Sequence, residues 1–174
     1  ADVAVRKMPE MIRDDNGSLA GYIYIDLLSD VTGPDYVDRA QQVLHQLEAL
    51  ANVGAELVDV APGYCAIALA PRPQISQQHG YVHAGILATL VDSAGGYAGY
   101  SLFPEDSSVL TVEFKLNLLA PAAGDRLVAE GHVVKPGRTL AITRGEVFAE
   151  ADGKRTLVAL MQQTLMVMHG KADR

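Results

Sequence analysis

Between Arg72 and Glu105 the chain carries one charged side chain, Asp92, within "QQHGYVHAGILATLVDSAGG". A carboxylate in so apolar a segment is costly to bury unless it is paired or hydrogen-bonded. Two readings stand. Asp92 is a structural acid held by backbone or hydroxyl donors, or it is a general base or nucleophile facing a cleft. In the second case an unpaired acid has a raised pKa, as catalysis at neutral pH requires. The same stretch offers a second chemical group. If a helix opens at Ala84, the backbone N–H groups of His83, Ala84 and Gly85 point out of its N-terminus, which carries roughly half a positive charge. Such an end polarises a carbonyl and stabilises an oxyanion. Gly85 lets a ligand approach the backbone closely. A plain tight entry into a helix is the alternative.

Other chemistries fit less well. His79 and His83 lie four apart, but Gly80 and the loop character between them argue against one helix face, and no HExxH pattern is present, so no metal is expected. Ser76 and Ser93 lack the G-x-S-x-G elbow of a serine hydrolase. His83, opening the helix, reads as an orienting hydrogen-bond partner.

The elements that position these groups follow from periodicity. The spacing predicts a central helix over residues 84–100, unusually rich in glycine, alanine and serine. Glycine in a helix costs about 1 kcal/mol against alanine, so close wrapping by a curved sheet is expected. With no polar face, the helix should be buried on every side. Before it, "AELVDVAPGYCAIALAP" is two short strands around Pro62-Gly63. After it come four strands. "VLTVEFKLNLLAP" alternates, with Thr111, Glu113, Lys115 and Asn117 on one face and Val112, Phe114, Leu116 and Leu118 on the other. "DRLVAEGHVVK", "RTLAITRGEVFAEA" and "RTLVALMQQTLMVM" are joined by tight turns, which makes an antiparallel meander. The expected class is α+β: about six antiparallel strands curved around one helix. Ahead of this domain (residues 51–174), residues 1–50 form an extension with an amphipathic, outwardly acidic helix that begins near Pro34.

Composition narrows the partners. The 174 residues are 49% hydrophobic and 20% charged, with net charge -7, an ordinary globular balance. The acidic excess sits early: residues 1–60 hold four Lys/Arg and eleven Asp/Glu, and the rest holds ten of each. Nucleic acid is not an expected partner, since its binding needs a basic footprint. No run of about 18 apolar residues appears, so no membrane span is expected. "AGYIYIDLLSDV" lacks the basic flank of a signal peptide. The first residue is Ala, and Met8 is a candidate start. The single Cys65 fits a reducing cytoplasm.

The motif residues resemble hotdog-fold acyl-CoA thioesterases of the phenylacetic-acid-degradation (PaaI-like) type. That pattern is Asn or Gln, Gly three residues on, a His-Gly-Gly triplet, then an acid nine residues after the His. Gln77, Gly80, His83 and Asp92 fall on these positions. The block "LTVEFKLNLLAPAAGDRLVAEGHVVKPGRTLAITRGEVF" is similar to the family's strands, and the resemblance covers residues 55–168. It implies hydrolysis of an acyl- or aryl-CoA to free acid and CoA, with no cofactor beyond the CoA of the substrate. Asp92 is then base or nucleophile. Gln77 binds the thioester or positions water, the Ala84 and Gly85 amides form the oxyanion site beside His83, and Thr111 stands near the reacting water. The turn with Lys135, Arg138 and Thr139 would take the nucleotide of CoA. A homodimer with sites across its interface, or a tetramer built from two such dimers, is implied as well. Two departures bear on the acyl group: Ala84 replaces the first glycine of the triplet, and Gln77 the commoner Asn. A hotdog enoyl-thioester hydratase and a non-catalytic acyl-CoA-binding domain are the alternatives.

Overall fold

A computed structural model of the chain describes residues 48–171. In chain order these form α1 (Glu48–Val53), β1 (Ala55–Ala61), β2 (Tyr64–Leu69), a 3-10 turn (Pro73–Ile75), α2 (Ala84–Tyr100), β3 (Ser107–Leu118), β4 (Arg126–Lys135), β5 (Leu140–Ala151) and β6 (Lys154–His169). The helix expected from Pro34 lies outside the described residues except for its end in α1, where Leu50 is buried in the core.

All strand pairings are antiparallel, in the order β1-β2-β4-β5-β6-β3. The turn chemistry makes the hairpins. Gly63 (φ 73°) closes β1 on β2, and Asp152 (φ 50°) with Gly153 (φ 70°) closes β5 on β6. Positive φ at both Asp152 and Gly153 matches the twist of a two-residue hairpin. The meander β4-β5-β6 therefore forms as the sequence predicts. β3 does not join it in sequence order. It pairs with β6 and ends the sheet as an edge strand, while β4 enters beside β2. The long helix α2 packs against this six-stranded sheet, the hotdog arrangement.

Glycines on both partners set how low the helix lies. Gly131 and Gly145 face each other across β4 and β5. A Cβ on Gly131 would run into the backbone of Ala94 and Gly95, and one on Gly145 into the Val91 side chain. The helix glycines do a different job. A Cβ at Gly95 would collide with Gln163 Oε1, and at Gly99 with Leu165. They make room for side chains that rise from the sheet.

One expectation is corrected. The helix is not buried on every side. Residues 94–100 are buried, but Gly85 is exposed and Thr89, Asp92 and Ser93 are half-buried. Small residues report how near the sheet comes; they do not report whether anything covers the opposite face. Among the described residues, no helix is long and apolar enough to cross a membrane.

Gly131→Val should lower the Tm by several degrees, because overpacking against a backbone that cannot yield costs at least about 1–3 kcal/mol. Gly96→Ala is the counterpart. A Cβ there meets nothing within 4 Å, so the gain in helix propensity, up to about 1 kcal/mol, should hold or raise the Tm. Thermal unfolding of both variants reads the pair.

Candidate active site

The residues singled out in the sequence fall into three places. The first is the mouth of α2. His83 is the N-cap, and its Nδ1 accepts a hydrogen bond from the Gly85 N–H at 3.0 Å. With Nδ1 accepting, a neutral ring carries its proton on Nε2. This changes one expectation: the Gly85 amide is spent on the cap and does not stand beside Ala84 as a second open donor. The Ala84 N–H makes no hydrogen bond among the described residues, because the first turn of a helix has no carbonyl behind it. Gln77 sits in a loop closed by its own backbone, with its N–H donating to Tyr81 O at 2.8 Å and its O accepting from Gly80 N at 2.9 Å. Gln77 Oε1 accepts from the His79 N–H, which leaves the NH2 end of the amide as its outward donor. Gln77, His83 and Ala84 share a cleft of about 360 Å³, whose far wall includes Leu118 and Pro121.

The second place lies two turns along α2. Asp92 Oδ1 accepts from the Thr111 hydroxyl on β3 at 2.9 Å and from Gln163 Nε2 on β6 at 2.5 Å. Oδ2 accepts no hydrogen bond among the described residues. Burial pushes the Asp92 carboxyl above the ordinary carboxylate range, and the bonds from Thr111 and Gln163 pull it partly back. A carboxylate with one oxygen fixed and the other open, in a partly dry setting, can accept a proton or attack a carbonyl.

Thr111 reaches Asp92 through an irregularity in β3. The register shifts between Thr111 and Glu113, so that Thr111 pairs with Leu165 and Phe114 with Gln163. Leu165 and Gln163 are alternate residues of β6 and both are buried. Thr111 and Phe114 therefore lie on the same side of β3, where strict alternation had set them apart, with Thr111 half-buried and Phe114 exposed. A bulge of this kind re-aims a side chain.

The third place is the β4–β5 turn. Lys135, Arg138 and Thr139 are exposed there. The turn is tied to the end of β6 by the Val167 N–H donating to Thr139 O and by His169 Nε2 against Arg138 O, both at 2.9 Å. Neither Lys135 nor Arg138 has an ion-pair partner among the described residues, whereas Arg144 and Arg155 do. These three residues do not line the cleft at the helix mouth.

Sequence reasoning missed Gln163 and Thr143. Gln163 links Asp92 to the sheet, and its Oε1 accepts from Thr143 Oγ1 at 2.8 Å. The readable signal was the pair Gln162-Gln163 inside an apolar strand: adjacent strand residues point to opposite faces, so one of the two had to face inward. Among the described residues, no group of three or more His, Cys, Asp or Glu is placed to hold a metal.

The chain is similar to known thioesterases in sequence and in fold. Residues 79–156, which span Asp92 and Thr111 but not Gln77 or Gln163, match the Thioesterase superfamily. A thioesterase family protein of known structure from Silicibacter pomeroyi is 40% identical, with a TM-score of 0.76 over 78% of this chain and 99% of its own. Acyl-coenzyme A thioesterase 13 of Homo sapiens is 30% identical over 99 residues, 56% of this chain and 70% of its own. The PaaI protein of the E. coli phenylacetic acid degradation operon shares the fold, at 19% identity and a TM-score of 0.70 over 79% of this chain and 96% of its own.

The raised Asp92 carboxyl has a consequence for stability. The folded protein holds this proton to higher pH than the unfolded chain, whose value is near 3.8. Its contribution is fully present below that value and is lost as pH rises through the folded-state value. Asp92→Asn keeps the shape and lacks the charge. Its Tm should exceed that of the parent near pH 8, with the difference shrinking toward about pH 4, as read by thermal unfolding across pH.

Proposed function

The chain belongs to the thioesterase superfamily, hotdog-fold enzymes that hydrolyse thioesters, and from that premise we propose that it splits an acyl- or aryl-CoA into free acid and CoA with Asp92 as the proton acceptor. The observation that carries this reading is the Asp92 carboxylate: the sole charge of its helix, held by two donors on one oxygen with the other oxygen open. The acyl-CoA assignment is supported by the human relative, which is named for that substrate.

In this reading Asp92 Oδ2 takes a proton from water as the water oxygen attacks the thioester carbonyl. The tetrahedral oxyanion is met by the Ala84 N–H at a helix N-terminus, and the Gln77 NH2 holds the thioester or the water. Collapse expels the CoA thiolate, which takes the proton back from Asp92. Direct attack by Asp92, with a mixed anhydride that water then opens, uses the same groups. Lys135, Arg138 and Thr139 present open cations and a hydroxyl to the phosphates of CoA.

The spacing of the two groups favours a second copy for this chemistry. Ala84 and Asp92 are eight residues apart on one helix, about 12 Å along its axis at 1.5 Å per residue. One carbonyl cannot lie within hydrogen-bond reach of both. The reading is therefore a homodimer in which Asp92 of one protomer faces the helix mouth of its partner. Edge strand β3, with Leu110, Val112 and Phe114 exposed, is the surface that suits such an assembly.

Three variants test the reading by thiol release over a panel of aryl, short and long acyl-CoAs. Asp92→Asn should lose about 10²–10⁴-fold in kcat; turnover at the parent rate would falsify the mechanism. Ala84→Pro removes the proposed oxyanion donor at a helix position that tolerates proline, and should cost about 10²–10³-fold. Mixing these two inactive proteins through unfolding and refolding should restore activity, since half of the mixed sites would be intact; no recovery would rule out the shared site. For the CoA turn, Arg138→Ala should raise KM with little change in kcat, and an unchanged KM removes that assignment.

A further inference from the structure

Four polar side chains are buried among the described residues: Ser101, Ser107, Thr143 and Gln163. The two serines answer to backbone, with their hydroxyls donating to Ala98 O and Pro104 O and Ser101 Oγ accepting from the Gly63 N–H. Thr143 and Gln163 answer to Asp92. The two N–H groups of Gln163 Nε2 are shared among Asp92 Oδ1, Thr111 Oγ1 at 3.0 Å and Asp92 O at 3.2 Å, while Thr143 Oγ1 donates to Gln163 Oε1 at 2.8 Å. A buried polar group left unsatisfied is costly, so an apolar pair at these two positions would be the simpler core. Gly95 adds to the case, since any Cβ there would displace both Gln163 Oε1 and Thr143 Oγ1.

The direction of the chain of bonds matters. A glutamine amide turned end for end would aim an oxygen at the carboxylate and repel it. A Thr143 hydroxyl that donates to Oε1 keeps the NH2 end toward α2. We propose that Gln163, locked by Thr143, is a positioning residue of the site: it pins Asp92 Oδ1 to the sheet so that Oδ2 is the oxygen presented to water. This rests on Asp92 being the proton acceptor.

The surroundings of Asp92 isolate the effect. The side chains that hydrogen-bond to it are uncharged, Thr111 from β3 and Gln163 from β6, and Thr143 of β5 stands behind Gln163. β4 offers Gly131 beneath the helix. From β2 the Cys65 thiol is pushed up to about 12 by burial, with Asp59 of β1 acting on it in the same direction, so it stays neutral at assay pH. No charged group contributes to the Asp92 shift.

The test is the pH dependence of turnover on the best acyl-CoA substrate for the parent, Gln163→Leu, Thr143→Val and Thr143→Ser, with Asp92→Asn alongside and thermal unfolding to check folding. A hydrogen bond to a charged group is worth about a factor of ten or more in that group's ionisation. In Gln163→Leu the acid limb should move up by about one pH unit, with kcat on that limb falling about tenfold and KM unchanged. Thr143→Val should move the limb the same way by less, and Thr143→Ser should leave it in place. A purely structural role would lower activity at every pH without moving the limb. A folded Gln163→Leu or Thr143→Val with the parent's limb overturns the proposal. If Gln163→Leu does not fold, Thr143→Val against Thr143→Ser decides by the same reading. Full turnover by Asp92→Asn would sink the catalytic reading itself; an inactive Asp92→Asn with unmoved limbs would sink only the role of Gln163.

Discussion

Everything at the site depends on how low α2 lies on the sheet. Two strand glycines, Gly131 and Gly145, sit side by side beneath it, and neither leaves room for a Cβ. Side chains normally hold a helix away from a strand; here the backbone of Ala94 and Gly95 comes down onto the strand itself. Gln163 is a side chain of limited length rooted in β6. It reaches both the carboxylate and the backbone carbonyl of Asp92 because the helix has been brought to it. Gly95 completes the fit from the helix side. The polar network and the glycine pattern are one design seen from two surfaces.

That closeness creates an electrostatic problem and also its partial solution. A half-buried carboxylate resists ionisation, and burial is the dominant influence on Asp92. Thr111 and Gln163 supply donors to the charged form, but both act on Oδ1. A purely structural acid would be expected to share its donors between both oxygens, and this half-buried carboxylate has both of them on one. The asymmetry suits an oxygen kept available for a reaction, at the expense of the fold.

The sequence was most legible where a local rule had no competitor. The helix over residues 84–100 could be read because the small-residue run had no strand period and Tyr100 preceded a loop. The hairpins could be read from Pro62-Gly63 and Asp152-Gly153. Asp92 stood out as a lone charge. What could not be read depends on register or rotamer. The bulge after Thr111 changes which residues of β3 face inward, and no alternation rule encodes it. The His83 cap on Gly85 depends on one side-chain rotamer. Gln163 needed the face of β6, which only the pairing with β5 fixes. The burial of the helix was overestimated because composition reports packing distance and says nothing of coverage. Residues 1–47 lie outside the described residues.

The bulge in β3 ties the acid to the sheet's edge. Thr111 is turned in to hold Asp92, while Leu110 and Val112 on either side remain exposed. In the proposed dimer this edge would lie against a second copy, so one strand would both complete the acid's hydrogen bonding and form the seam across which the acid meets its partner's helix mouth. Within one protomer the acid and the open Ala84 amide are separated by more than two helical turns, a distance fixed by the rise of the helix and beyond the power of any side-chain motion to close. In the proposed dimer, a site divided in this way would assemble only as the subunits do. Catalysis by this reading is then a property of the pair, and the reactive carboxylate, with one oxygen tied down by Gln163 and Thr111, is already aimed before the partner arrives.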